Sequence, residues 1–306
     1  MKIDFEQEFA GDLVTRQRVR VAVSGETDRL TDVALASPRY LEAVPCCSVT
    51  RESLRKGFAP SVSAAQAQHA ELRRVLESRG VACHSLPSVE GLPDQCFVRD
   101  VGVATPWGLT VLKPAKSHRA READELASAA RSWGASPARR ITAGPIEGGD
   151  VCVARPGLLI VGVSGERTSA AGAEEFAAPF RAAGWEVIQY PFDPHFLHLD
   201  TVFCMFSPDR ALACVEVLDD WFLEALAARG IEVLPVSYKQ ARRLGCNILS
   251  IDPRTVVASA ATPEVTALIA SAGLTVLEVE LDQLTACGGG VHCLTLPLTR
   301  TFADRA

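Results

Sequence analysis

The chain has 306 residues, 48% of them hydrophobic and 22% charged, with a net charge of −6, the profile of a globular protein able to bury a full core in one or two domains. No basic stripe stands out, which argues against a nucleic-acid partner because phosphate binding requires clustered cations. The N-terminal MKIDFEQEFA lacks an apolar h-region and no 18 uncharged apolar residues run together, so neither a signal peptide nor a membrane span or membrane partner is expected, and the expected compartment is the cytoplasm.

In chain order, the first predicted strand is RVRVAVSG, residues 18–25. Residues 40–62 then mix Pro, Gly, Ser and charge and break the pattern that follows, as an insertion covering a site would. Five Ala-rich amphipathic helices come next, each closed by a glycine where a left-handed cap belongs: at Gly80, Gly134, Gly184, Gly230 and Gly273. Each is followed by a short apolar or β-branched run. Between the helices lie strand–turn–strand units, VGVATPWGLTVLK, DVCVARPGLLIVGV, TVFCMFSPDRALACVEV and ILSIDPRTVVASAA, which turn at Pro106, Pro156, Pro208 and Pro253. A last strand after Cys293 is expected to pair with RVRVAVSG and make a fifth unit from the two ends of the chain.

Five modules of about fifty residues argue for radial repetition. The expectation is an α/β-propeller of five ββαβ modules with pseudo-five-fold symmetry around a central channel, in one domain over residues 1–306. An ordinary doubly wound sheet fits less well, because hairpins alternate here with single helices and strands.

In that arrangement the starts of equivalent hairpins converge on the channel. They carry Asp100, Glu147 and Asp150, His198 and Asp200, Asn247, and Cys293, where an apolar strand normally avoids charge. His198 and Asp200, two apart, are expected on one face of a strand. A thiol, an imidazole and carboxylates around one cavity suit nucleophilic catalysis, and the glycines at 288–290 would let backbone approach a ligand beside Cys293. Blander readings stand beside these. The ten cysteines, scattered without a CxxC pair, read mostly as reduced core residues. His195, His198 and Asp200 imitate a metal cluster, although i and i+3 on a strand do not share a face. Asp150 has a structural role as an equal alternative, and Asn247 reads as structural.

Together these residues resemble the guanidino-group-modifying superfamily with the pentein fold: dimethylarginine dimethylaminohydrolases, arginine deiminases, agmatine deiminases and amidinotransferases. LPDQCFVRD resembles the dimethylargininase motif that supplies Asp94 for a substrate amino group and Asp100 for its guanidinium. KPAKSHRARE and GERTS resemble segments that bring Arg119 and Arg167 to a substrate carboxylate. IEGGD supplies Glu147, LHLDTVF supplies His198 and Asp200, and GGGVHC supplies Cys293. Arg99 stands where dimethylargininases usually have glutamate, and Val291-His292 resembles agmatine deiminases and amidinotransferases.

The resemblance implies a hydrolase of linear amidines. Cys293 attacks the guanidinium carbon of arginine or an Nω-methylated arginine, His198 moves protons with support from Glu147, and Asp100 and Asp200 hold the guanidinium. No organic cofactor or metal is required. Amidino transfer and non-catalytic arginine binding remain open alternatives, and a homodimer is one open assembly.

Overall fold

The computed structural model describes residues 18–302; the acidic N-terminal decapeptide lies outside them. In chain order the elements are β1 (Arg29–Ala36), α1 (Ser48–Arg55), α2 (Val62–Ser78), β2 (Ala82–Leu86), β3 (Gly102–Thr105), β4 (Gly108–Val111), α3 (Ala120–Ser132) and β5 (Arg139–Arg140). They continue with β6 (Val151–Arg155), β7 (Leu158–Val163), α4 (Ala170–Ala182), β8 (Glu186–Pro191), β9 (Phe203–Ser207), β10 (Arg210–Ala213), α5 (Asp220–Ala227) and β11 (Glu232–Pro235). The last are α6 (Tyr238–Ala241), β12 (Leu249–Asp252), β13 (Thr255–Ser259), α7 (Pro263–Ser271), β14 (Thr275–Val279), α8 (Asp282–Thr285) and β15 (Leu296–Thr301).

These strands form five three-stranded sheets of one design: an antiparallel hairpin whose second strand is central, then a helix, then a third strand parallel to the central one. Proline begins each of the four two-residue hairpin turns, where its fixed φ presets the bend. The five predicted capping glycines have φ between 67° and 87°, a region that costs a residue with a Cβ but not glycine. Ser61 and Ser169 start α2 and α4 by accepting backbone N–H bonds from Ala64 and Gly172. The Ala-rich helix faces pack against the sheets; Leu126 and Ala130 of α3 share a cluster with Leu109, Val111 and Leu296. Full burial of such leucines contributes about 1.5–3 kcal/mol each.

The sheets make a ring. β15 packs on β3, β6 on β9, β9 on β12 and β12 on β1, while the short turns preceding β3 and β6 touch each other. This is the pentein α/β-propeller, and the hairpin starts converge at its centre as the repeat predicts.

Two expectations need correction. RVRVAVSG is not the strand that completes the fifth sheet; it contributes an isolated bridge from Ala22 to Thr299. The strand is β1, paired antiparallel with β15 and parallel with β2. A central strand is covered on both faces, and Val33, Ala34, Leu35 and Ala36 are fully buried, whereas the alternating arginines of RVRVAVSG suit a segment with one wet face. The converging polar residues also do not lie on strands. Asp100, Asp150 and Asp200 occupy single 3-10 turns at 98–101, 148–150 and 199–201, just before β3, β6 and β9; Glu147 and His198 immediately precede two of these turns, and Asn247 and Cys293 lie in the loops before β12 and β15. His198 and Asp200 therefore do not share a strand face. The tighter turn aims neighbouring side chains in different directions around the axis.

Among the described residues, no helix is long and apolar enough to cross a membrane.

Candidate active site

Cys293 lies 2% exposed at the floor of a cavity enclosing about 320 Å³ of non-protein space, part of it open to solvent. Phe97, Leu197, His198, Asp100 and the backbone of 288–289 complete the wall around the thiol. The glycine run has a steric cause. Gly288 has φ 101°, which favours a residue without a Cβ, and a Cβ on Gly289 would run into the Phe97 ring. Gly289→Ala is expected to push Phe97 and the Cys293 loop apart, lowering stability by about 1–3 kcal/mol and activity by at least about tenfold. Thermal melts together with kcat/KM check this; a variant with parental values on both would show that the loop yields freely.

The thiol sits between two polar groups that order its loop. Asn247 Nδ2 donates to Cys293 Sγ at 3.2 Å, its Oδ1 accepts from the His292 N–H at 3.0 Å, and Asp200 Oδ2 lies 3.5 Å from Sγ. Asn247, read from sequence as structural, is thus a direct neighbour of the sulfur. Burial, then the charges of Asp200 and Asp100, push the Cys293 thiol well above its ordinary value. At rest Cys293 is a protonated thiol.

His198 Nε2 bonds Glu147 Oε2 at 2.6 Å, and its Nδ1 faces Asp100 Oδ1 at 3.6 Å. Burial alone would lower its basicity. The charge of Asp100, the Glu147 hydrogen bond and Asp150 outweigh it, raising the pKa to about 10. Burial would likewise raise the Glu147 carboxyl, but the His198 hydrogen bond and the His198 and Arg167 charges hold it well below the usual carboxylate range. Imidazolium and carboxylate therefore form a buried ion pair near neutral pH.

Glu147 accepts from two further groups: its Oε1 takes the Ala115 N–H at 2.9 Å, and its Oε2 also takes Arg167 at 3.1 Å. Arg167 in turn donates to the Cys46 carbonyl at 2.9 Å and lines the cavity. Arg119 also lines the cavity, with its guanidinium already engaged by the protein. Its guanidinium is bound to Asp100 Oδ2 at 2.5 Å, to both Glu122 oxygens, and to the carbonyls of Asp94 and Phe97. A buried guanidinium left unpaired is costly; the fold supplies acids, and Arg119 serves here to hold Asp100. Asp94 reaches the cavity beside His118, whose Nε2 lies 2.7 Å from Asp94 Oδ2.

Asp150 joins neighbouring modules: it accepts from the Thr168 hydroxyl at 2.6 Å and the Leu199 N–H at 2.8 Å, and burial raises its pKa to about 7. Its structural reading is the one this geometry supports. His195 is exposed, near Tyr238, away from His198 and Asp200, so the imagined three-residue metal cluster is not assembled. Residues 46–47 of the inserted segment line the cavity mouth.

Sequence reasoning overlooked a second buried chain. Asp200 Oδ2 bonds His292 Nδ1 at 2.8 Å, and His292 Nε2 bonds Glu26 Oε1 at 3.0 Å. Arg99 pairs with Glu26 at 3.3 Å. Burial would raise the Asp200 carboxyl, yet the His292 hydrogen bond and charge carry it below its ordinary value. The available signal for this chain was the histidine next to Cys293.

Comparison with known proteins places this geometry. The profile of the family described as N,N dimethylarginine dimethylhydrolase, eukaryotic, matches residues 49–300. The chain belongs to the dimethylarginine dimethylaminohydrolase family. Among similar proteins, the uncharacterized Bacillus subtilis protein YkgA is 30% identical over 90% of this chain and 94% of its own length. An arginine deiminase of Rhodococcus erythropolis is 30% identical over 69% of this chain and 61% of its own length, so the match spans less than two thirds of that enzyme. The Pseudomonas aeruginosa dimethylarginine dimethylaminohydrolase, solved as a cysteine-to-serine mutant complexed with citrulline, has a TM-score of 0.72 at 22% identity, over 88% of this chain and 99% of that one. Dimethylarginine dimethylaminohydrolases and arginine deiminases both act on guanidino carbon–nitrogen bonds. The relatives are thus guanidino-modifying enzymes that differ in substrate.

Proposed function

We propose that the protein is a cysteine-dependent hydrolase of the guanidino group of free L-arginine or its monomethylated form, giving citrulline with ammonia or methylamine. One observation carries the reading: Asp100 Oδ1 and His198 Nδ1, on the wall of the Cys293 cavity, and Asp200 Oδ1, whose other carboxylate oxygen lies 3.5 Å from the sulfur, are buried without hydrogen-bond partners. Buried carboxylate oxygens without donors are expensive, and a planar cation with five N–H donors in a fork is the ligand that satisfies two of them at once.

The same cation starts the chemistry. Neutralising Asp100 and Asp200 removes the charges that keep the thiol protonated, so on binding the thiol loses its proton to solvent through the cavity opening and the thiolate attacks the guanidinium carbon; the second proton of the hydrolytic water later restores the thiol. His198, protonated at rest, donates to the departing nitrogen, and an amidino-thioether remains on Cys293. Water that gives its proton back to His198 then attacks that carbon and releases the ureido product and the thiol. Asp94 and the uncommitted donors of Arg167 suit the amino and carboxylate groups of an amino acid.

The expected substrate order follows from the carboxylates. Asymmetric dimethylation removes two donors from one terminal nitrogen and sets methyls against an acid, at about 1–3 kcal/mol per orphaned group. Arginine should exceed asymmetric dimethylarginine in kcat/KM by roughly ten- to a hundredfold, and agmatine, which leaves Arg167 unanswered, should be weaker still. Mass analysis of products from arginine, its methylated forms and agmatine tests this. A preference for the dimethylated compound would move Asp200 off the methylated nitrogen, and consumption only when an acceptor amine is added would make the protein an amidinotransferase.

A further inference from the structure

Cys46, Asp94 and His118 come from three separate segments and meet at the cavity mouth, with one donor atom of each lying within 4.8 Å of the others. We infer that they form a zinc site, three protein ligands and an open fourth position, which occupies the substrate's amino-group pocket and pins residues 40–62 over the cavity.

The donor set is a thiolate, a carboxylate and an imidazole, the groups zinc takes in tetrahedral sites with one position left for water. Ligand-to-metal distances of about 2.0–2.3 Å place such donors closer together than 4.8 Å, so a modest contraction completes the shell. Cys46 and His118 are partly exposed and Asp94 is buried, which gives the metal an entry path and one anchored ligand. Charge also fits. Arg119 is already neutralised by Asp100 and Glu122, and Arg167 is held back by Glu147 and the Cys46 carbonyl, leaving the Cys46 thiolate and Asp94 to balance a dication. Cys47 is otherwise engaged: its sulfur caps α1 by accepting the Thr50 N–H at 3.4 Å. The carbonyl of Cys46 is fixed by Arg167, so the ligating loop is held from behind. Binding exchanges the Cys46 thiol proton, and the Asp94–His118 contact, for bonds to the metal.

The competition with substrate rests on Asp94 taking the amino group, as proposed above; the metal site itself does not, and the test separates the two. Reduced, chelator-stripped protein is titrated with Co²⁺ and then Zn²⁺, reading the thiolate-to-cobalt charge-transfer band. The expected result is one ion per chain in the parent and in Cys293→Ser. The band should vanish in Cys46→Ser, and affinity should fall in a folded His118→Ala by more than the roughly 10–100-fold that losing an outer partner costs. A band that survives Cys46→Ser or disappears in Cys293→Ser overturns the site, as does failure of the parent to bind one equivalent. In a separate arm, Zn²⁺ should raise KM for the guanidino substrate without changing kcat, and chelator should reverse it. A fall in kcat at constant KM would overturn the placement in the amino-group pocket, while a protein that hydrolyses nothing but shows the cobalt band would sink the functional reading and leave the metal site standing.

Discussion

Cys293→Ser is expected to lower kcat by at least about 10³–10⁴-fold while the protein stays folded and still binds its guanidino ligand. Only the attacking atom changes, and effects of that size are characteristic of a lost nucleophile. The reason is specific to this cavity. Burial and two carboxylates already disfavour an anion at that position; a thiol overcomes this when substrate arrives, but a hydroxyl, far less acidic, does not. Asn247 can donate to the serine oxygen as it does to sulfur, so the loop should keep its form. Steady-state rates, ligand binding and melting temperature measure the three parts. Intact-protein mass spectrometry of the parent, quenched during turnover, should show the amidino adduct on Cys293. Residual activity above about a hundredth of the parent would remove Cys293 from the role.

Glu147→Gln should be nearly as severe, about 10²–10⁴-fold in kcat, and unlike the serine variant it should also destabilise the fold. The glutamine keeps the shape but removes the one negative charge shared by His198 and Arg167. Without it the imidazolium loses a principal support and the proton donor is depleted. Arg167 is left as an uncompensated buried charge, a loss of about 3–5 kcal/mol. The sign of the pH dependence follows from the two titrations. Glu147 is depressed in the folded state, so its contribution is present above its ordinary value of 4.5 and lost as pH falls well below it. His198 is raised to about 10, so its contribution is whole below its ordinary 6.5 and lost as pH rises through about 10. The stability gap between parent and variant should be widest between these ordinary values and narrow towards pH 10. Urea titrations across that range measure it; a gap independent of pH would show that the ion pair does not form.

The modular architecture was legible because its signals are local. A glycine that must take positive φ after a helix, and a proline that presets a two-residue turn, identify themselves without tertiary context. Strand β1 was not legible: RLTDVALA carries a charge in its middle, and Asp32 is accommodated at register irregularities opposite Thr299, whereas RVRVAVSG alternates cleanly and lies outside the sheets. Convergence of Asp100, Glu147, His198, Asp200 and Cys293 followed from placing each at the start of a module. Glu26 has no such address. It enters from the chain preceding β1, and its contact with His292 exists only after the ring forms. Arg119 shows the same limit from the other side, because its partner Glu122 one turn along the chain gave no sign that the guanidinium would be buried.

The pairing of Arg29 with Thr301 and Ala34 with Leu296 joins opposite ends of the fold, and it has a kinetic meaning. Loop closure over most of a chain is slow compared with forming local hairpins, so the four contiguous blades can assemble while one edge of β1 still waits for its partner. An open strand edge is a template for pairing with other chains, which makes this interval the most aggregation-prone in folding. Cys293 lies three residues before β15, and Asp200, Asn247 and Glu26 can organise its loop only when that strand docks. Assembly of the surroundings of Cys293 is thereby tied to completion of the ring, and an incompletely folded molecule presents an ordinary thiol.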